Sequence, residues 1–291
     1  FQAEDGIRDS VASRGLGDVY KRQAYKVLLI ITLILWLLPL IAVMLTSVRT
    51  GEDILKGNYW TIPTEFALIE NYGTVFKLGN LARYFFNSLA ITLPTVLGTI
   101  ILSSMTGYTL AVHRFKLNFL VFAMFIAGNF IPFQILMIPV RHLTINLGMY
   151  DTYRGLIIFH IAFQTGFCTF FLRNFIRALP FELIESARAD GATEWTIYRK
   201  IIIPLTLPAI AALAVLEFTF IWNDYFWCLI LSQSEGTKPI TLGLQTLQGQ
   251  WMSSWNIVSA GSVVAALPPV IMFFTMQKHF IQGLTFGAVK G

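Results

Sequence analysis

Two groups of polar side chains carry what chemistry this sequence offers, and neither has the make-up of a catalytic centre. The first lies in residues 179–210, where Glu182, Glu185 and Asp190 present carboxylates and Arg188 follows Glu185 at the i+3 spacing that lets the two pair on a helix. Ser186, Ala187 and Ala189 keep one side slim enough for another surface to approach closely. This is the chemistry of docking onto a basic partner; a solvated connector with ordinary surface charges is the plainer alternative. The second group sits in otherwise apolar sequence: His160 and Gln164, four apart and so on one helical face, then Glu217, Trp222, Asn223 and Asp224. An ionisable group at the centre of a membrane span costs roughly 2.5–3.5 kcal/mol, so such residues face a cavity or a partner. The bland reading of Asn223 and Asp224 is that they cap the outer end of a helix.

Several functions are excluded. There is no GxxxxGK[ST] phosphate loop, so any ATP used must be bound by another chain. His113, His142, His160 and His279 stand apart in sequence from one another and from Cys168 and Cys228, so neither a metal nor a cofactor is expected. The two cysteines lie far apart in apolar segments and read as small buried groups, not a disulfide. The net charge is +5, but the basic residues are dispersed, without the clusters that nucleic-acid binding requires.

What positions these groups follows from composition. With 55% hydrophobic and 13% charged residues, against roughly a quarter charged in soluble domains, the chain reads as an all-α polytopic membrane protein. Apolar spans long enough to cross a bilayer are expected at 24–48, 84–112, 117–140, 155–172, 201–231 and 257–276. Pro39 should kink the first, and Pro132 and Pro139 break the third. A signal peptide is disfavoured for the first span by its length and the lack of a small-residue cleavage pattern. Ser103 and Gly107 form a small-xxx-small pair for close helix approach, within the subunit or between subunits. Six spans put both termini on one side. Basic residues are denser in the segments on the side of residues 179–210, which makes that side, with both termini, cytoplasmic.

Residues 1–23 do not match the rest: they are polar, glycine-punctuated and without a helical apolar period. They resemble translated sequencing-adapter read-through, with a disordered native tail as the alternative, and are set aside from the single membrane domain at 24–291.

Within 181–192 the expectation is a short helix from Phe181 to Ala189, started by Pro180 and broken by Gly191. Such a helix is too short to stand alone and must be held by packing. Glu185, Ser186, Ala187, Asp190, Gly191 and Ala192, followed by Pro204 and Pro208, resemble the EAA motif of permease subunits of binding-protein-dependent ABC importers. Ser186 departs from the motif's alanine but is nearly as small. TFIWNDYF at 219–226, TKPITLGLQTL at 237–247 and QKHFIQGLTFGAVKG at 277–291 resemble the carbohydrate branch of that family. The resemblance implies a type I permease fold in a bacterial inner membrane and a cytoplasmic coupling helix anchored by Glu185 and hinged at Gly191. It implies as partners a dimer of ATP-binding subunits, a second homologous permease, an extracytoplasmic solute-binding protein and membrane lipid. The function implied is half of a translocation pathway for sugars or oligosaccharides, with His160, Gln164, Glu217, Trp222, Asn223 and Asp224 as pathway candidates. An importer of another solute class, an ion-gradient-driven transporter and an integral scaffold or sensor are the alternatives; for the ion-gradient reading no internal repeats are evident.

Overall fold

The computed structural model describes residues 2–57, 59–77, 80–248 and 254–285, with side chains described between 20 and 278. In chain order the helices are α1 (Gln2–Ser47), α2 (Gly51–Leu55), α3 (Leu68–Lys77), α4 (Leu81–Val112), α5 (Asn118–Asn129), α6 (Met137–Asn146) and α7 (Tyr153–Arg177). There follow α8 (Glu182–Ala189), α9 (Glu194–Ile197), α10 (Ile203–Trp222), α11 (Phe226–Leu231), α12 (Ile240–Gly243) and α13 (Trp255–Thr285). Five are long and apolar enough to cross a membrane, or six if the bent pair of α5 with the α6 segment forms one span.

Four features differ from expectation. Residues 2–23 continue α1 as helix, since a helix nucleated by the apolar span extends at one hydrogen bond per residue. The third span bends by 91° between Asn129 and Phe133. Pro132 has no N–H and disfavours helix at the residue before it, whereas Pro139 sits in the first turn of α6, where its missing donor costs nothing. The fifth span stops at Trp222, and α11 is a separate helix. The expected loop 49–83 holds α2 and α3 and an ordered polar core.

That core belongs to the first of two units, Phe1–Tyr72 with Ser254–Val263. Asn71 Nδ2 donates to the carbonyls of Ser47 (2.9 Å) and Arg49 (2.8 Å), and its Oδ1 accepts from Asn256. Asp53 accepts from the Thr64 N–H (3.1 Å) and hydroxyl (2.8 Å), which hold its carboxyl below the usual range, and lies 3.5 Å from the buried Arg49 guanidinium. The apolar side chains of α1 are mostly exposed, Trp36 at 78%, as a lipid-facing surface requires.

The second unit, Gly73–Ser253 with Val264–Gly291, is built on α4 and α7. The buried side of α4 carries a small, polar stripe, Ser88, Thr92, Thr95, Thr99, Ser103 and Gly107 at three- and four-residue intervals, while Leu93, Leu97, Ile101 and Leu102 point outward. This inverts the soluble pattern, because lipid is as apolar as leucine and helices associate through close backbone approach. A Cβ on Gly107 would lie 3.1 Å from the Arg173 amide nitrogen and 3.3 Å from Leu172 Cβ, so the Ser103–Gly107 pair packs α4 on α7 within this chain. Cys168 and Leu172 of α7 meet Ala209 and Leu213 of α10 in a second apolar seam. At the far end of these helices, Tyr153 of α7 donates to Asn87 Oδ1 (2.6 Å) and the Gly236 carbonyl (2.7 Å), and Ser88 Oγ accepts from Ile240 N–H, which ties residues 232–243 onto α4.

Candidate docking and pathway sites

The docking insert is assembled from local rules. Phe181 caps α8 from outside, so Pro180 precedes the helix instead of occupying its first turn. The helix ends in a Schellman closure: Gly191 N–H donates to the Arg188 carbonyl and Ala192 N–H to the Ala187 carbonyl, both at 3.0 Å. Gly191 has φ +77, the left-handed conformation that only glycine takes without cost. Thr193 then caps α9, its Oγ1 accepting from the Thr196 N–H. Residues Tyr198–Ile202 form one wide π turn before α10, where Pro204 removes the donor that an α-helical ladder would need.

An apolar cluster holds this insert: Ile184 packs with Tyr108, Val112, Ile176, Ile197, Tyr198 and Ile202, and Ala187 and Ala192 lie against it. The motif residues therefore divide. Ala187 and Ala192 face the bundle, whereas Glu185, Ser186 and Asp190 are exposed, together with Phe181 and Leu183. Pro204 and Pro208 lie at the start of and within α10. The expected Glu185–Arg188 pair is replaced: the Schellman turn folds the chain back so that Arg188 Nε donates to Glu194 Oε1 at 2.9 Å, and the Arg188 guanidinium is held above its ordinary pKa chiefly by that bond. Glu194 also accepts from the Tyr108 hydroxyl (2.6 Å) and lies 3.4 Å from His113 Nε2. It thus binds α8 and α9 to the end of α4. Glu194 is marked in the sequence only as an acidic residue following a capping threonine, which gives the helix start but not its partners.

Of the pathway candidates, His160, Gln164 and Asp224 come together. They line a cavity of about 100 Å³ walled by Phe133, Phe163, Phe220, Phe226 and Trp227. His160 Nε2 is 3.5 Å from Asp224 Oδ2. Asp224 does not simply end α10: its carboxylate accepts from the Trp227 and Cys228 N–H groups and so starts α11. His160, Asp224 and Cys228 place ligand-type atoms within 4.8 Å of one another, which corrects the reading that every histidine stands apart from cysteine; helix packing brings together residues distant in sequence. The other candidates lie elsewhere. Glu217 is buried between α10 and α7, accepting from Cys168 Sγ at 3.1 Å. Trp222 is buried and donates from Nε1 to the Ala265 carbonyl at 2.9 Å, and exposed Asn223 donates to the Thr219 carbonyl. All three lie outside this cavity, in contacts of packing and helix ends. Phe133 and Phe226 form cavity wall because the bend after α5 brings the Phe133 ring against Phe226 and Trp227; nothing in their spacing marks them in the sequence.

A helical membrane bundle with inside-out packing and a polar insert seated at one end defines an integral membrane protein. The comparison with known proteins gives the family. The chain belongs to the binding-protein-dependent transport system inner membrane component family, which matches residues 100–285. It is 35% identical over 260 residues, 89% of this chain and 92% of the relative, to the arabinooligosaccharides transport system permease protein AraQ of Bacillus subtilis (strain 168). Over 88% of both chains it is 33% identical to the osmoprotective compounds uptake permease protein GgtD of Synechocystis sp.. A crystal structure of a bacterial ABC transporter that imports the acidic polysaccharide alginate contains a chain of the same fold, with TM-score 0.79 and 24% identity over 88% of this chain and 95% of that one.

Proposed function

We propose that this chain is the sugar- or oligosaccharide-conducting permease subunit of an ABC importer in a bacterial inner membrane, driven by ATP hydrolysis on a separate pair of cytoplasmic subunits. The carrying observation is the docking insert: a short helix fixed to α4, α7 and α10 by its apolar face, with Glu185, Ser186 and Asp190 left outward. A partner's push on such a helix reaches the spans because the helix cannot move without the cluster beneath it. ATP-driven motion requires that the ATPase bind two bundle states with different free energy, and this contact is where that difference enters.

Names of relatives that carry arabinooligosaccharides, alpha-glucosides and lactose support the solute class. The family's dependence on a binding protein supports an extracytoplasmic solute-binding partner. A second permease follows from size: the cavity at His160, Gln164 and Asp224 is about 100 Å³, below the roughly 300 Å³ of small ligand pockets. A facing subunit is needed to complete a sugar-sized passage, with this chain as one wall. The cytoplasmic side is that of α8, and both termini share it if α5 and α6 together make one crossing.

The test is Glu185→Lys, which reverses the charge at the exposed anchor without touching the core. Membrane insertion and assembly of the spans should be unchanged, while solute-stimulated ATPase activity and uptake are lost. Wild-type stimulation in that variant would sink the docking assignment.

A further inference from the structure

The end of the bundle that carries α8 holds a second feature beside the docking helix. Between the α4–α5 turn and the C-terminal end of α7 lies a pocket of about 500 Å³ whose charged lining is entirely cationic: Arg114, Lys116, Arg173 and Arg177. Among the described residues no carboxylate comes within 4.0 Å of any of these four groups, although Arg188 and His113 nearby are both satisfied by Glu194. Arg173 is half-buried and held in place, its Nε donating to the Leu110 carbonyl (3.3 Å) and its guanidinium 3.6 Å from the Phe122 ring centroid. Arg114, Lys116 and Arg177 are exposed. The dipoles of α4 and α7 both end here with their negative poles, and one basic residue on a terminal carbonyl answers that need; three more exceed it.

The apolar surroundings identify the counter-charge. Phe115 lies between Arg114 and Lys116, Leu117 and Phe119 follow, and the three are 43%, 59% and 80% exposed; α5, which starts here, has no buried residue. A water-facing protein partner would not meet that surface, but acyl chains would. We propose that this pocket binds the phosphate headgroup of an anionic phospholipid, with its acyl chains lying along α5. Basic pockets where spans leave the membrane suit such headgroups through charge, and apolar walls suit the adjoining glycerol and chains. Phe181 and Ile184 line the same pocket, so its occupant bears directly on the seat of α8. Lipid composition thereby acts on the docking helix from the membrane side.

The experiment uses the protein purified from membranes with whatever subunits accompany it, in neutral detergent. Phosphatidylglycerol and phosphatidylcholine are titrated separately and retained lipid is counted by native mass spectrometry. Phosphatidylglycerol should be retained in preference, and Arg114→Gln with Lys116→Gln should weaken it by about fivefold for each charge removed. The pair Arg199→Gln with Lys200→Gln, both exposed on the α9–α10 connection outside the pocket, removes equal charge and should leave retention unchanged. Arg177→Lys, which keeps the charge, should also retain the lipid. Equal loss in the two double variants would mean diffuse surface attraction, and equal retention of both lipids would mean no headgroup site. Displacement by inorganic phosphate as effective as by phosphatidylglycerol would mean a soluble-anion site. Any of these overturns the proposal.

Discussion

Removing Glu194 should release the docking helix while leaving the bundle folded. Of the three contacts of its carboxylate, those to Arg188 and Tyr108 can be weighed separately, while His113 lies beside it at 3.4 Å. The Arg188 pair joins side chains that are 34% and 45% exposed, so solvent screens it and it contributes roughly 0.5–1 kcal/mol. The Tyr108 hydroxyl is different: Tyr108 is 5% exposed and donates to a charged acceptor at 2.6 Å, a bond of about 1.5–3 kcal/mol, nearer the lower figure because the acceptor faces water. Glu194→Ala therefore costs about 2 kcal/mol in the seating of α8, equivalent to roughly thirtyfold in the equilibrium for its local opening. Hydrogen exchange measured by mass spectrometry on peptides covering 182–192 should accelerate by that factor, while peptides from α4 and α7 stay protected. Glu194→Gln should fall between, since its amide carbonyl still accepts from Tyr108 but the charge is gone. Unchanged exchange over 182–192 in Glu194→Ala would refute the claim that this carboxylate fastens the helix; equal acceleration everywhere would show that it supports the whole fold instead.

Gly191→Ala keeps every contact but forces an alanine to φ +77, so the Schellman closure should weaken by about 1–2 kcal/mol, read as a lowered ratio of solute transported to ATP hydrolysed with normal membrane levels. Asp151, in the loop before α7, accepts from the N–H groups of Gln233 and Ser234 and from the Thr237 hydroxyl. Burial alone would raise its carboxyl pKa, but the Thr237, Gln233 and Ser234 bonds outweigh it and hold the group below the ordinary value of an aspartate. A depressed folded pKa contributes stability that is complete above the unfolded value and is lost as pH falls through the folded one. The thermal stability of the wild type should accordingly fall below about pH 4, and Asp151→Asn, which tolerates the left-handed φ of 55 at this position, should be less stable at neutral pH and should lose that part of the acid dependence. A variant with the wild-type acid profile would show that Asp151 does not carry the effect.

The sequence by itself determined the membrane class, the positions of most spans and the docking insert, because each is written in a local pattern. A span is a run of apolar residues, a Schellman turn needs glycine at one place, and a proline announces its own missing donor. Even the inward face of α4 was legible in part, through Ser103 and Gly107. Only the tertiary structure decided which polar groups meet. Arg188 pairs with Glu194, not Glu185, because the chain reverses at Gly191 by an amount that spacing along a helix cannot express. His160 and Asp224 share a cavity while Glu217 and Trp222 turn into helix contacts, although all four look alike as polar or amphipathic residues in apolar sequence. The 91° bend that brings Phe133 to that cavity follows from Pro132 as a break, but the angle does not. The physical reason is the same throughout: hydrogen bonding along one helix is fixed by near neighbours, whereas the direction a side chain faces is fixed by the helices packed around it. The short helix, glycine break and following prolines of residues 179–210 were therefore legible from their order, and the carboxylate that fastens them could be found only after the chain had folded.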